Sequence, residues 1–241
     1  MAAAGLSPVR RPHVRPNVNA SWLPNKTFKE AKKVMTTTLL IVRHGQTAWN
    51  KDLRFRGRAD LTLDETGLKQ AEAVARRIVA EFHPGVLLSS PLQRTRQTAE
   101  AIARQTRLSI YGEGALVDLD YGEFSGLSPT EAEARFLELY RAWLNVPQTV
   151  RFPAGESLDD VRARLADLLG RVTDLYPNGQ VILVTHQVVC QVLLCHLLGI
   201  HNGYFSHFQV DPASLTICQI DGSRGTLVSV NDTCHLKELP E

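Results

Sequence analysis

Three short segments bring together the residue types that hold and transfer a phosphoryl group. Arg43-His44-Gly45, Ser89-Ser90-Pro91 followed by Arg94, and Thr185-His186 combine two imidazoles with two guanidiniums. A guanidinium fork matches the oxygens of a phosphate dianion, and a helix opening at Ser90-Pro91 would add free N–H groups and partial positive charge. An imidazole held in such a cage can attack phosphorus as a covalent nucleophile. The arginines and the second histidine would then stabilise the transition-state charge, with no metal required. A carboxylic acid is still needed, first to protonate the leaving oxygen and then to activate water. Taken alone, a histidine after a strand is more often a cap or a hydrogen-bonded residue; the joint pattern with Arg94 is what points to chemistry.

For these segments to converge, each must follow a strand of one sheet. Thr38–Val42, Val86–Leu88 and Val181–Val184 are short apolar runs that read as buried strands, and Ser109–Tyr111 as a further one. Helices are predicted between them. Thr62-Leu63-Asp64-Glu65 fits a capping box, with apolar spacing through Leu68, Ala71, Val74, Ala75 and Ile78 and a stop at His83-Pro84-Gly85. Ser90 as cap and Pro91 at the first helical position open a second helix, running to about Gln105. Ser128-Pro129-Thr130-Glu131 opens a helix to about Leu144, Ser157 opens one to near Tyr176, and Val188–Leu198 is an apolar helix. Leu215–Ile220 and Thr226–Val230, joined by Asp221-Gly222, read as a closing strand pair. The alternation predicts an α/β protein: three layers, α/β/α, with a mostly parallel sheet and an antiparallel edge. Ligands of such sheets sit at the carboxyl ends of the strands, where the three segments lie.

Composition agrees with a globular chain. Of 241 residues, 44% are apolar and 22% charged, and no apolar run approaches the length of a membrane span. Residues 1–34 hold seven Lys/Arg and one acid, net +6, whereas 35–241 hold 20 bases and 24 acids, net −4. The acidic body argues against a nucleic-acid partner, and nothing suggests a membrane. The first 34 residues read as a basic, mostly disordered extension: a real tail, an upstream start with Met35 the natural initiator, or a targeting leader. The functional domain is therefore expected over 35–241. The four cysteines form no C-x-x-C pair, which favours free thiols in a reducing, cytoplasmic compartment. G-x-x-x-x-G-K-[ST], G-x-G-x-x-G and H-E-x-x-H are absent, so no motif argues for nucleotide or zinc. Trp22, Trp49 and Trp143 are isolated in the sequence and form no stacking platform.

Leu39-Leu40-Ile41-Val42-Arg43-His44-Gly45-Gln46-Thr47-Ala48-Trp49-Asn50 resembles the opening signature of the histidine phosphatase superfamily, with its phosphoglycerate mutase-like fold. Ser89-Ser90-Pro91-Leu92-Gln93-Arg94 with Gln97-Thr98-Ala99, Gly155-Glu156-Ser157-Leu158 and Val184-Thr185-His186 resemble its later blocks, in the family's order. The resemblance implies His44 as the nucleophile, forming a phosphohistidine, with Arg43, Arg94 and His186 holding the phosphate. It also implies a phosphate contact at Asn50, no metal or cofactor, and a homodimer. Arg56-Gly57 lies where relatives often carry Gln or Thr near the site mouth, and an arginine there hints at an acidic substrate.

Two positions depart from the family pattern. Aligning the glycines of Leu116-Val117-Asp118-Leu119-Asp120-Tyr121-Gly122 places Asp118 at the usual glutamate, favouring it as the acid over Glu123 or Asp120. Gln187 replaces the usual glycine after the second histidine, which makes its side chain a candidate to face the substrate. The segment Asn231-Asp232-Thr233-Cys234-His235-Leu236 is similar to metal-independent phosphoserine phosphatases, which makes His235 a candidate binding residue, weighed evenly against simple surface placement. The expected activity is metal-independent hydrolysis of a small phosphomonoester, such as phosphoserine or a sugar or glycerate phosphate. A phosphoglycerate mutase and a non-catalytic phospho-ligand-binding module are the alternatives. The absence of the mutases' proline-rich, basic insertion between Gly126 and Gly155 favours hydrolysis, since water can then reach a phosphohistidine.

Overall fold

A computed structural model describes residues 35–50, 54–222, 224–237 and 239. The expected extension over 1–34 lies outside the described residues.

Among the described residues, six strands form one sheet in the order β3-β2-β4-β1-β5-β6. They are β1 (Thr36–Arg43), β2 (Val86–Ser89), β3 (Ile110–Gly112), β4 (Gln180–Thr185), β5 (Leu215–Asp221) and β6 (Arg224–Asp232). β3, β2, β4 and β1 run parallel, while β5 pairs antiparallel with β1 and β6 antiparallel with β5. Strand side chains alternate between faces, and the core splits accordingly. Leu39, Ile41, Val181 and Leu183 pack under α5 (Leu158–Leu175) and α6 (Gln187–Leu197). Leu40, Val42, Ile182 and Val184 pack under α1 (Glu65–Glu81) and α2 (Gln93–Thr106). Both faces are covered, which is why the strands read as unbroken apolar runs. The three-layer architecture is the one the sequence pattern predicts.

Local chemistry explains the helix boundaries, with three corrections. The capping box at Ser128 forms as expected, opening α3 (Pro129–Arg135), and Ser157 opens α5 as expected, through a box closed by Asp160. The first helix is capped by Asp64 rather than by a box at Thr62: one Asp64 oxygen accepts from Gly67 N–H at 2.8 Å and the other from Gln46 Nε2 at 3.0 Å. Ser90 caps nothing; α2 starts at Gln93, with Leu92 as N-cap and no side-chain cap. The helix expected from 128 to 144 breaks at Phe136 into α3 and α4 (Leu137–Asn145). Phe136 leaves helical backbone there and its ring stacks on Phe124, with centroids 4.7 Å apart.

Candidate active site

Strand register positions the two histidines. Arg43 of β1 pairs with Thr185 of β4, so the residues that follow, His44 and His186, emerge side by side at the carboxyl edge. Their ring centroids lie 5.3 Å apart. Ser89 of β2 pairs with Val184 of β4, which brings Ser90 to the same edge. The Ser90 hydroxyl lies 2.8 Å from His186 Nε2, which is where the hydroxyl expected to cap a helix is used.

Hydrogen bonds fix the ring tautomers. His44 Nδ1 lies 2.6 Å from the Gly45 carbonyl. A carbonyl only accepts, so Nδ1 carries the proton and Nε2 of the neutral ring keeps its lone pair. His186 Nδ1 accepts from Arg94 Nε at 3.1 Å, leaving its proton on Nε2 toward Ser90. Burial first, then the Arg94 and Arg43 cations, holds His44 well below the ordinary imidazole value. Burial and Arg94 do the same to His186. Both rings are therefore neutral at physiological pH.

Arg94, fully buried at the second position of α2, organises the site from behind. Its guanidinium donates to the carbonyls of Ala59 and Gly57 at 2.7 and 2.8 Å and to Asp118 Oδ2 at 3.2 Å. Gly57 can approach so closely because it has no Cβ: at φ +47° a Cβ would come within 2.9 Å of the Leu119 carbonyl. Arg43, also buried, donates to the Val210 carbonyl at 2.5 Å, while its Nε is shielded from solvent and has no partner. Burial, and next the neighbouring Arg56, pushes Arg43 down to about 10.

The carboxylate candidates separate by position. Asp118 is buried, lines the cavity and lies with Oδ2 3.8 Å from His186 Nδ1. Burial raises its carboxyl above the usual value, against the opposing pull of Arg94, so it holds a proton more readily than a surface aspartate. Asp120 accepts from Gly122 N–H and pairs with Arg58 at 3.1 Å. Glu123 is exposed, and neither of these two lines the cavity.

The cavity has a volume of about 280 Å³. His44, Asp118, Arg56, Gly57 and Gln187 line it, so those expected site residues come together. Arg43, Arg94 and His186 are packed immediately behind them. Asn50 ends a 3-10 turn, and its side chain lies outside the described part. His235 is not brought to the cavity. Its Nε2 lies 2.9 Å from the Ala213 carbonyl and its Nδ1 3.3 Å from Arg77, so both ring nitrogens are engaged at the back of the site. It acts there on a loop: Ala213 N–H bonds the His44 carbonyl at 3.1 Å, and Val210 accepts from Arg43. Asn231 clasps the same loop through Asp211, accepting from its N–H at 2.6 Å and donating to its carboxylate at 2.8 Å.

Sequence reasoning missed the opposite wall. Tyr121, Trp143, Val188, Gln191 and Phe205, with Arg54 and Ser206, complete the lining. Trp143, isolated in sequence, packs edge-on against Tyr121 and beside Phe205, with centroids 6.0 and 5.2 Å away. One signal was present: Gln187 and Gln191 are the polar exceptions, four residues apart, on the otherwise apolar start of α6.

Comparisons with known proteins identify the family. The family described as histidine phosphatase superfamily (branch 1) matches residues 39–233. The chain is 36% identical over 200 residues to phosphoserine phosphatase 1 of Hydrogenobacter thermophilus, covering 83% of this chain and 94% of that one. It is 29% identical over 205 residues to the metal-independent phosphoserine phosphatase of Arabidopsis thaliana, covering 84% of each. The solved structure of a mycobacterial glucosyl-3-phosphoglycerate phosphatase superposes with a TM-score of 0.75 at 27% identity, covering 82% of this chain and 100% of that one.

Proposed function

From the premise that the chain belongs to the histidine phosphatase superfamily (branch 1), we propose that it hydrolyses small phosphomonoesters through a phosphohistidine on His44, without a metal ion. The observation that carries this reading is the His44 tautomer: Nδ1–H is spent on the Gly45 carbonyl, so Nε2 meets the substrate as a free lone pair. In the proposed reaction, Nε2 attacks phosphorus in line with the ester oxygen. The P–O bond to the alcohol breaks and Asp118 gives its proton to the departing oxygen. Asp118, now a carboxylate, takes a proton from water as that water attacks the phosphohistidine. Phosphate leaves, and His44 Nε2 and protonated Asp118 are restored.

Arg43, Arg94 and His186 supply the fixed positive charge and N–H donors that such a transition state needs. The cavity's size suits a small metabolite, with phosphoserine, sugar phosphates and glycerate phosphates in range. Four free cysteines fit the reading of a reducing, cytoplasmic setting. No helix among the described residues is long and apolar enough to cross a membrane.

The test is inorganic phosphate release in the presence of a chelator, from p-nitrophenyl phosphate and a panel of metabolite phosphates. Release that His44→Ala abolishes is the expected result. Interconversion of 2- and 3-phosphoglycerate faster than phosphate release would replace hydrolysis by a mutase reaction. No release from any substrate would leave a binding module.

A further inference from the structure

The charges around the cavity bear on the part of the substrate beyond its phosphate, an inference that rests on the phosphatase reading above. Arg54 lines the cavity but is matched by Glu131 at 3.3 Å; three further guanidiniums crowd the site, and their burial is graded. Arg94 and Arg43 are buried, whereas Arg56 is partly exposed and lines the cavity itself. The three are close enough that Arg56 disfavours the charged form of both others. Arg56 Nη1 is shielded from solvent, yet has no hydrogen-bond partner. A guanidinium N–H left without an acceptor away from water marks a place for an oxygen.

Opposing negative charge is scarce. Among the described residues lining the cavity, Asp118 is the only carboxylate. The acids around the mouth are committed: Glu131 to Arg54 at 3.3 Å, and Asp120 and Glu156 to Arg58 at 3.1 Å each. With Arg54 neutralised by Glu131 and Asp118 holding the proton it donates, a phosphate dianion balances two of the remaining three cations and leaves one over. A purely anionic tail with one negative charge completes the balance. A zwitterionic tail, carboxylate plus ammonium, does not, and its ammonium meets Arg56 with no lining carboxylate free to receive it.

We propose that Arg56 binds a second negative charge on the substrate, and that the preferred substrates are phosphate esters of hydroxy acids lacking an amino group. Arg56, the most exposed of the three cations without a surface acid, would receive the carboxylate, while the buried pair serves the phosphate. The chain would thereby differ from its phosphoserine phosphatase relatives in the tail it favours.

Three near-isosteric esters test this. 3-Phosphoglycerate has a carboxylate and a hydroxyl, L-phosphoserine replaces that hydroxyl with an ammonium, and glycerol 3-phosphate replaces the carboxylate with a hydroxymethyl group. The expected result is a kcat/KM for phosphate release from 3-phosphoglycerate about tenfold or more above either of the others, the range set by one hydrogen bond to a charged group. In Arg56→Gln the three should fall within about threefold of one another, and Arg56→Lys, which keeps the charge, should retain part of the order. Phosphoserine equal to or better than 3-phosphoglycerate would overturn the proposal. So would an unchanged order in Arg56→Gln, or an equal loss on all three, which would assign Arg56 to the phosphate. In each of these cases phosphatase activity itself stands. Phosphate release from neither these three nor p-nitrophenyl phosphate would instead overturn the phosphatase reading, and this proposal with it.

Discussion

Replacing Asp118 by Asn removes a proton donor while conserving shape. The carboxyl is 7% exposed; its Oδ1 accepts from Leu119 N–H at 3.0 Å and its Oδ2 from Arg94 at 3.2 Å. An amide oxygen can keep one of these bonds, so the fold should persist, although the buried Arg94 loses the carboxylate it pairs with. What disappears is general acid catalysis, worth ~10²–10⁴ in rate, or about 3–5 kcal/mol of barrier. The loss should depend on the leaving group. An alkoxide needs the proton, so kcat/KM for an alkyl phosphate should fall by the full ~10²–10⁴. p-Nitrophenolate is stable as an anion, so its departure should slow by less than about tenfold. The second step also loses its base. With p-nitrophenyl phosphate, the variant should therefore release a burst of nitrophenolate stoichiometric with enzyme and accumulate acid-labile phosphate on His44. Stopped-flow absorbance reads the first, and an alkaline quench, which preserves phosphohistidine, the second. Equal losses across leaving groups, with no burst, would refute the assignment. Asp120→Asn and Glu123→Gln are the controls: the first is held by Arg58 and the second exposed, so each should stay within about threefold of wild type.

Three further expectations follow from the geometry. Folded His44 and His186 bind protons less readily than the unfolded chain, so their contribution to stability is complete above pH 6.5 and is lost as pH falls below it, at about 1.4 kcal/mol per pH unit and ring. Asp118, with its raised pKa, acts in the opposite sense. Urea midpoints at pH 7.5 and 5.5 should therefore fall on acidification, and fall less in His44→Gln; a midpoint independent of pH would contradict the buried neutral rings. Gly67→Ala would drive a Cβ into the Gln46 carbonyl of the loop after His44, a backbone contact that cannot yield freely, at a cost of about 2–3 kcal/mol by denaturant titration. Asn231→Ala deletes both clasps on Asp211 and should cost about 1–3 kcal/mol while lowering kcat more than it raises KM; a pure KM effect would show that the loop does not position Arg43 and His44.

How much was readable in advance follows from the range of each interaction. Buried strands carry their signal in a few consecutive residues, so Leu39–Val42 and Val181–Val184 announced themselves, and with them the positions of His44 and His186 at adjoining strand ends. The box at Ser128 and the helix start at Ser157 are set within three residues and were equally legible. Ser90 was misread because its partner, His186, lies 96 residues away and outcompetes a local cap. The break at Phe136 depends on a ring from another segment, Phe124. His235 was weighed as a binding group or a surface residue because its sequence neighbourhood does not disclose that Ala213 and Arg77 take both its nitrogens. Trp143 and Phe205 join the cavity wall from elements whose approach no local pattern encodes.

The sheet order has a consequence for how the protein comes into being. β1, which delivers the proposed nucleophile, is the first of the described strands yet lies between β4 and β5, whose residues begin at 180 and 215. During synthesis it therefore waits, an apolar segment without either neighbour, until most of the chain has been made. The clasp from Asn231 comes later still. Contacts this distant in sequence close slowly and leave a nascent strand open to wrong partners. The ribosome-bound chain should thus depend on chaperones to shield β1, and products terminated before β5 should be inactive. The catalytic centre is begun early and completed almost last.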